Sequence, residues 1–229
     1  MEIVAEVLAQ TLLEHRIEVV FGLPGGENVQ VVEALRQKGI RFILVHNESS
    51  AVFMADATAR VTGKPGVCLT TLGPGAANAV AGVAHAYLDR APVLVITARM
   101  AESNRDHTHQ LLDLTALYAP ITKRSMRLSV TNVRQTVRDA LELTRSDRPG
   151  PVHLQISNDD AAQQAVESDE DQVSLRGAPF AVARNEAKQS PRWRGETASQ
   201  RPLATLAPHA SAGVTRGAQK NLRFPYSLV

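Results

Sequence analysis

A chain of 229 residues, 44% of them hydrophobic, is long enough to bury a sizeable core, in one domain or in one domain with an appendage. Its longest apolar stretches, such as residues 92–98, fall far short of the roughly 20 residues a membrane-spanning helix needs, and the amphipathic start with Glu2 and Glu6 does not resemble a secretory signal. The formal charge is +2, but residues 1–175 carry 16 Lys+Arg against 21 Asp+Glu while residues 176–229 carry 9 against 2, so a nucleic-acid role for the larger part has no electrostatic support.

From the start to about Ser157, helical and strand patterns alternate with short connections, the pattern of a parallel sheet covered by helices. Val4, Val7, Leu8 and Leu12 form a helical stripe, residues 18–21 a strand, and residues 29–38 a helix closed by Gly39 at its C′ position. The strand 40–45 and the helix 51–61 follow, then the strand 66–70, the alanine-rich helix 76–88 and the strand 92–97. That last run is nearly all apolar, which places it at the sheet centre, buried on both faces. Residues 102–110 read as a loop before a short helix at 111–117. A strand at 121–128, a helix at 130–144 with Val133, Val137 and Leu141 in register, and a strand at 152–156 complete about six βα units. The expected class is α/β, a parallel sheet of about six strands with helices on both faces, over residues 1–165.

Residues 166–229 begin with an acidic linker, Ser168 to Asp171, and continue as a basic tail without a sustained period. Such a segment rarely buries enough apolar surface to offset its ordering entropy, so disorder is expected over 176–229. The competing reading is a basic arm for nucleic acid, with Trp193 between Arg192 and Arg194. The single cysteine, Cys68, excludes an internal disulfide and fits a reducing cytoplasm.

Three strand-to-helix loops carry the chemistry-bearing residues: Phe21-Gly22-Leu23-Pro24-Gly25-Gly26, His46-Asn47-Glu48-Ser49-Ser50-Ala51 and Gly73-Pro74-Gly75-Ala76-Ala77-Asn78. In a parallel sheet all three fall on one edge, where ligands bind. Each has a plainer explanation. Glu48 suits the first turn of a helix through the helix dipole; Asn47, Ser49 or Ser50 suits its N-cap; the glycines suit tight turns. A dinucleotide site is disfavoured, because Asn78 replaces the third glycine and the strand ending at Thr97 lacks the acid that holds a ribose. His107 and His109 make a weak metal pair without a third ligand, and no metal site is expected. His46, His85 and His153 read as packing or surface residues.

Taken in order, these loops, with Met54-Ala55-Asp56-Ala57, Thr71-Leu72, Ala86-Tyr87-Leu88-Asp89-Arg90-Ala91-Pro92 and Pro149-Gly150-Pro151-Val152-His153-Leu154, resemble the pyrimidine-binding domain of thiamine diphosphate enzymes. The branch they look most like is that of acetolactate synthases and 2-oxo acid decarboxylases. The resemblance covers the chain to about residue 165.

It implies thiamine diphosphate as cofactor, bound here at its pyrimidine end only, and a 2-oxo acid such as pyruvate as substrate of a carboligase or decarboxylase. In the family the residue matching Glu48 hydrogen-bonds the aminopyrimidine and promotes loss of the thiazolium proton. Pro24, Gly25 and Gly26 would line the pyrimidine pocket, Gly73, Pro74, Gly75 and Asn78 would border it, and Gln110 would be the substrate-side glutamine. Thr108 and His109 depart from the usual pattern before that glutamine. Family members hold Mg²⁺ and the diphosphate on another domain with a Gly-Asp-Gly motif, absent from this chain, and FAD, where present, sits on a central domain. The resemblance therefore implies an enzyme half that is inactive alone, with a homo-oligomer or a diphosphate-domain chain as partner, of which only the latter would complete the site. An interrupted gene, favoured by the basic tail, and a natural split subunit both fit; a catalytically silent interaction module is the other class of function.

Overall fold

The computed structural model describes residues 1–101 and 110–166. In chain order the elements are α1 (Val4–Glu14), β1 (Val19–Gly22), α2 (Val29–Gln37), β2 (Arg41–Leu44), α3 (Glu48–Thr62), β3 (Gly66–Thr70), α4 (Pro74–Leu88), β4 (Val93–Arg99), α5 (Leu114–Tyr118), β5 (Ser125–Arg127), α6 (Val133–Arg145), β6 (Val152–Ser157) and α7 (Asn158–Ala162). The six strands form one sheet in the order β2-β1-β3-β4-β6-β5, and every pairing is parallel. This is the α/β sheet expected from the alternating pattern, and β4 lies inside it with all but its last residue buried. The expected tail, the loop histidines His107 and His109, and Trp193 lie outside the described residues.

Strand side chains alternate between two apolar layers, as the pleat requires. Val67 and Leu69 of β3, Leu94 and Ile96 of β4, and Val152, Leu154 and Ile156 of β6 enter one layer, packed under α1, α2, α6 and α7. Cys68, Val93 and Val95 face the other, under α3, α4 and α5. The contributions of α3 and α4 to that second layer are small: Ala51, Val52, Ala55, Ala76, Ala79, Val83 and Ala86. Helices thus cover both faces of the sheet.

Helix boundaries follow local chemistry more closely than periodicity does. α3 starts at Glu48, three residues before the first periodic alanine, because the Asn47 side chain caps it by accepting a hydrogen bond from the Ser49 backbone N–H at 2.9 Å. α4 starts at Pro74, since proline at the first helical position lacks only an N–H that would be unsatisfied there. α2 ends as expected, with Gly39 just beyond it at φ 74°. The strand expected over 121–128 is much shorter: Ala119–Ile121 forms a 3-10 turn and only Ser125–Arg127 pairs with β6.

The α3–α4 pair is also joined at its far end by charge. Arg60 reaches Asp56 at 2.5 Å and Asp89 at 3.3 Å, and His85 Nε2 lies 3.3 Å from Asp56 Oδ2. Asp56 is buried while Arg60 is half-exposed, so the cluster orients the two helices more than it stabilises them.

Candidate functional site

Because all strands run the same way, the loops after β1, β2 and β3 emerge at one edge of the sheet. Glu48 is the first residue of α3 and only 4% exposed. A carboxylate at a helix N-terminus is favoured by the dipole, but one removed from water also needs hydrogen-bond donors. The Asn78 side-chain amide supplies one, donating to Glu48 Oε2 at 3.1 Å. The Ser49 hydroxyl in turn donates to the Asn78 carbonyl in a very short bond, so the first turns of α3 and α4 are fastened to each other around the carboxylate.

Two glycines decide how close the loops come. A Cβ on Gly75 would stand 2.1 Å from Thr71 Oγ1 and 3.1 Å from Glu48 Oε1; one on Gly25 would stand 2.4 Å from Thr71 Cγ2. Any side chain at either position would push the loops apart. Thr71, immediately after β3, therefore sits between the loop at 22–26 and the loop at 73–78. The first of these loops is fixed from beneath by Asn28, which is fully buried. Its Oδ1 accepts from Gly25 N–H at 2.9 Å and its amide donates to the Leu23 carbonyl at 3.2 Å.

The sequence-predicted residues fall into an inner and an outer set. Glu48, Gly75 and Asn78 meet directly, and Gly25 joins them through Thr71. Pro24, Gly26 and Pro74 are exposed on the rim, and nothing lies within 4 Å of a Cβ built on Gly26. Gln110 is exposed and stands over Gly73: its carbonyl oxygen would be 2.5 Å from a Gly73 Cβ, and both residues have positive φ, 54° each. Gln110 makes no hydrogen bond with Glu48 or Asn78. It belongs to an adjoining cavity of about 490 Å³ whose lining includes Gly73, Arg99, Arg127 and Gln155. Sequence reasoning gave no role to Thr71 or Asn28 and took Ser49 only as an N-cap candidate; an asparagine three residues beyond a glycine in a turn is a signal that could have found Asn28.

Other titratable groups near the sheet are structural. Burial pushes the Cys68 thiol up to about 12, which leaves no reactive thiolate. His153 is fully buried in β6, stacked on Tyr118 at 4.0 Å between ring centres, with its ring nitrogens 2.9 Å from Thr97 Oγ1 and 2.8 Å from Ser125 Oγ. Burial lowers its pKa to about 3, so it stays neutral. His46 is exposed. Among the described residues no group of three or more His, Cys, Asp or Glu could hold a metal ion, and no helix is long and apolar enough to cross a membrane.

Residues 3–117 match a family described as "Thiamine pyrophosphate enzyme, N-terminal TPP binding domain". The chain is 38% identical over 158 residues to the acetolactate synthase isozyme 3 large subunit of Escherichia coli, covering 68% of this chain and 28% of that protein. It is 36% identical over 174 residues to the acetolactate synthase large subunit of Lactococcus lactis, covering 75% and 30%. With the chloroplastic acetolactate synthase of Arabidopsis thaliana the identity is 35% over 179 residues, covering 76% and 26%. The chain thus spans less than a third of the length of these relatives.

Proposed function

The chain belongs to the thiamine pyrophosphate enzymes, through their N-terminal TPP-binding domain, and from that membership we propose that it provides the pyrimidine-binding half of an acetolactate synthase-like site acting on a 2-oxo acid such as pyruvate. The observation that carries this reading is the buried Glu48 carboxylate at the carboxyl edge of the sheet, held by Asn78 and flanked by Gly75 and, across Thr71, by Gly25. An aminopyrimidine ring needs an acid–base partner kept from bulk water and a flat approach without side chains, and this edge offers both.

When bound, thiamine diphosphate supplies an electron sink for bond cleavage beside a carbonyl. The part of this chain is to bind and orient the ring and to exchange a proton with it. Glu48 holds or returns the proton through a carboxylate oxygen, with the alanine layer behind it excluding water. Gly25 and Gly75 allow the backbone to approach the ring, while Pro24, Gly26, Gly73 and Pro74 form the border. Gln110, standing over Gly73, faces the substrate side from the neighbouring cavity. The diphosphate and Mg²⁺ would be held on a separate surface that carries a diphosphate-binding motif, and turnover would require it. The reaction class is carboligation or decarboxylation.

Calorimetric titration of the chain with thiamine diphosphate and Mg²⁺ tests this reading. Micromolar heat that disappears in Glu48→Gln, with the circular dichroism spectrum unchanged, is the expected result. Binding that survives the substitution removes Glu48 from the site.

A further inference from the structure

A second set of polar side chains stands at the carboxyl ends of β4, β6 and β5, beside the Glu48 site but outside it. Gln155 and Arg127 are register partners, and Arg99 lies two residues beyond Thr97, the partner of Gln155 on β4. The pleat therefore puts all three on one face of the sheet. They line the cavity of about 490 Å³ that also reaches Gly73 and Gln110, and the rest of its lining is largely leucine.

Gln155 is only 3% exposed, so its polar atoms need partners. Both amide hydrogens have one: Nε2 donates to Thr115 Oγ1 at 2.9 Å and to Ser125 Oγ at 3.2 Å. Ser125 is itself tied, 2.8 Å from Nδ1 of the neutral His153, whose Nε2 is 2.9 Å from Thr97 Oγ1. This network sets the direction of the Gln155 amide. The carbonyl oxygen Oε1 is turned away from it, accepts no hydrogen bond among the described residues and is not sealed off. Such an oxygen on a cavity wall is satisfied by a donor that a ligand brings. The Arg99 and Arg127 guanidinium groups disfavour a cationic donor there and favour a carboxylate in the same ligand, while the Asp113 carboxylate is engaged at the head of α5, accepting from the Ala116 N–H at 3.0 Å. The neutral donor of smallest size is a hydroxyl.

We propose that Gln155 is a specificity-determining residue of this site: its Oε1 accepts a hydrogen bond from a hydroxyl on the substrate, and the preferred substrates are 2-oxo acids with a hydroxylated side chain. Pyruvate lacks that donor and leaves Oε1 unpaired, which is how a polar site rejects a deoxy analogue. The 2-oxo acid class rests on the thiamine reading above; the selection for a hydroxyl rests on Gln155.

Two probes that differ by this hydroxyl, pyruvate and hydroxypyruvate, test the assignment in the full chain. Amide NMR spectra are followed as each is added. Hydroxypyruvate is expected to shift the Gln155 side-chain amide and the backbone amides of residues 125–127 and 153–157, and to bind about 3- to 10-fold more tightly than pyruvate, the worth of one neutral hydrogen bond. Gln155→Met keeps the length of the side chain and removes the oxygen, and is expected to bring the two probes within about 2-fold of each other. Equal binding of the probes by the wild type, silence at these residues, or a preference that survives Gln155→Met overturns the proposal. The wild-type comparison decides by itself if the variant does not fold. The thiamine reading is judged separately, by the calorimetric heat and its loss in Glu48→Gln. Equal probe binding beside a Glu48-dependent heat overturns the Gln155 assignment alone; heat that survives Glu48→Gln overturns both.

Discussion

On one side of the sheet, α1, α2, α6 and α7 bury leucine, isoleucine and valine; on the other, α3 and α4 meet it largely through alanines. The first layer carries most of the stabilisation, since a fully buried Leu or Ile contributes about 1.5–3 kcal/mol and a single buried carbon group about 0.8. The second gains less from burial and gains proximity instead. Short side chains let α3 and α4 settle close to the sheet and to one another, and only at that separation can Asn78 on one helix reach Glu48 on the other. Stability and site geometry are thus assigned to opposite faces of the same sheet.

Leu154→Ala is the hardest test of that division. Leu154 is fully buried in the branched layer, and its truncation is expected to cost about 2–5 kcal/mol in urea unfolding. The amide resonances around Glu48 and Asn78 should stay in place below the unfolding transition. Movement of those resonances would show that the two faces are coupled.

The converse substitution, Ala79→Leu, overfills the alanine layer beside Asn78, with an expected cost of about 1–3 kcal/mol. Here the smaller loss of stability should accompany the larger loss of site: the Asn78–Glu48 hydrogen bond breaks and the calorimetric response to thiamine diphosphate disappears. A variant that binds thiamine diphosphate normally would deny the alanines their spacing role.

The mildest effect is expected from pH and lies on the α5 side of the same layer. His153 has its pKa lowered to about 3 by burial, against an ordinary value near 6.5. The unfolded chain therefore binds the extra proton first as pH falls. Stability is unaffected above about pH 6.5 and is lost progressively from there toward about pH 3, at up to about 1.4 kcal/mol per pH unit. Urea midpoints measured from pH 7 to pH 5 should fall, and His153→Gln should flatten that slope. An unchanged slope in the variant would assign the acid sensitivity to other groups.

The sheet was legible wherever burial wrote itself into the sequence. Residues 66–70 form a strand with the expected bounds because all five are buried between two helical layers, and the polar Thr70 falls only at its end. The edge strand β5 was overestimated, since apolar residues at 121–128 serve partly a 3-10 turn, and apolar content alone cannot tell the two apart. α7 left no periodic trace: its five residues are fixed by Ser157, whose hydroxyl accepts from the Asp160 N–H at 3.0 Å. At the site, Glu48 and the glycines could be read because their residue types are diagnostic in loops. Thr71 and Ser49 could not, since threonine and serine there are unremarkable until the fold brings Gly25, Gly75 and Asn78 against them.

The hydrogen bond between Asn78 and Glu48 joins residues 30 positions apart, each at the head of a different βα unit. A small molecule that met both the Glu48 carboxylate and the Asn78 amide would bridge two consecutive segments of the chain and act as a removable staple between them. By mass action, such a molecule at 100 times its dissociation constant adds about 2.7 kcal/mol to the resistance of the fold to unfolding. Heat tolerance of this chain then becomes a gauge of occupancy, and a thermal-shift screen can rank heterocycles at this edge without any turnover.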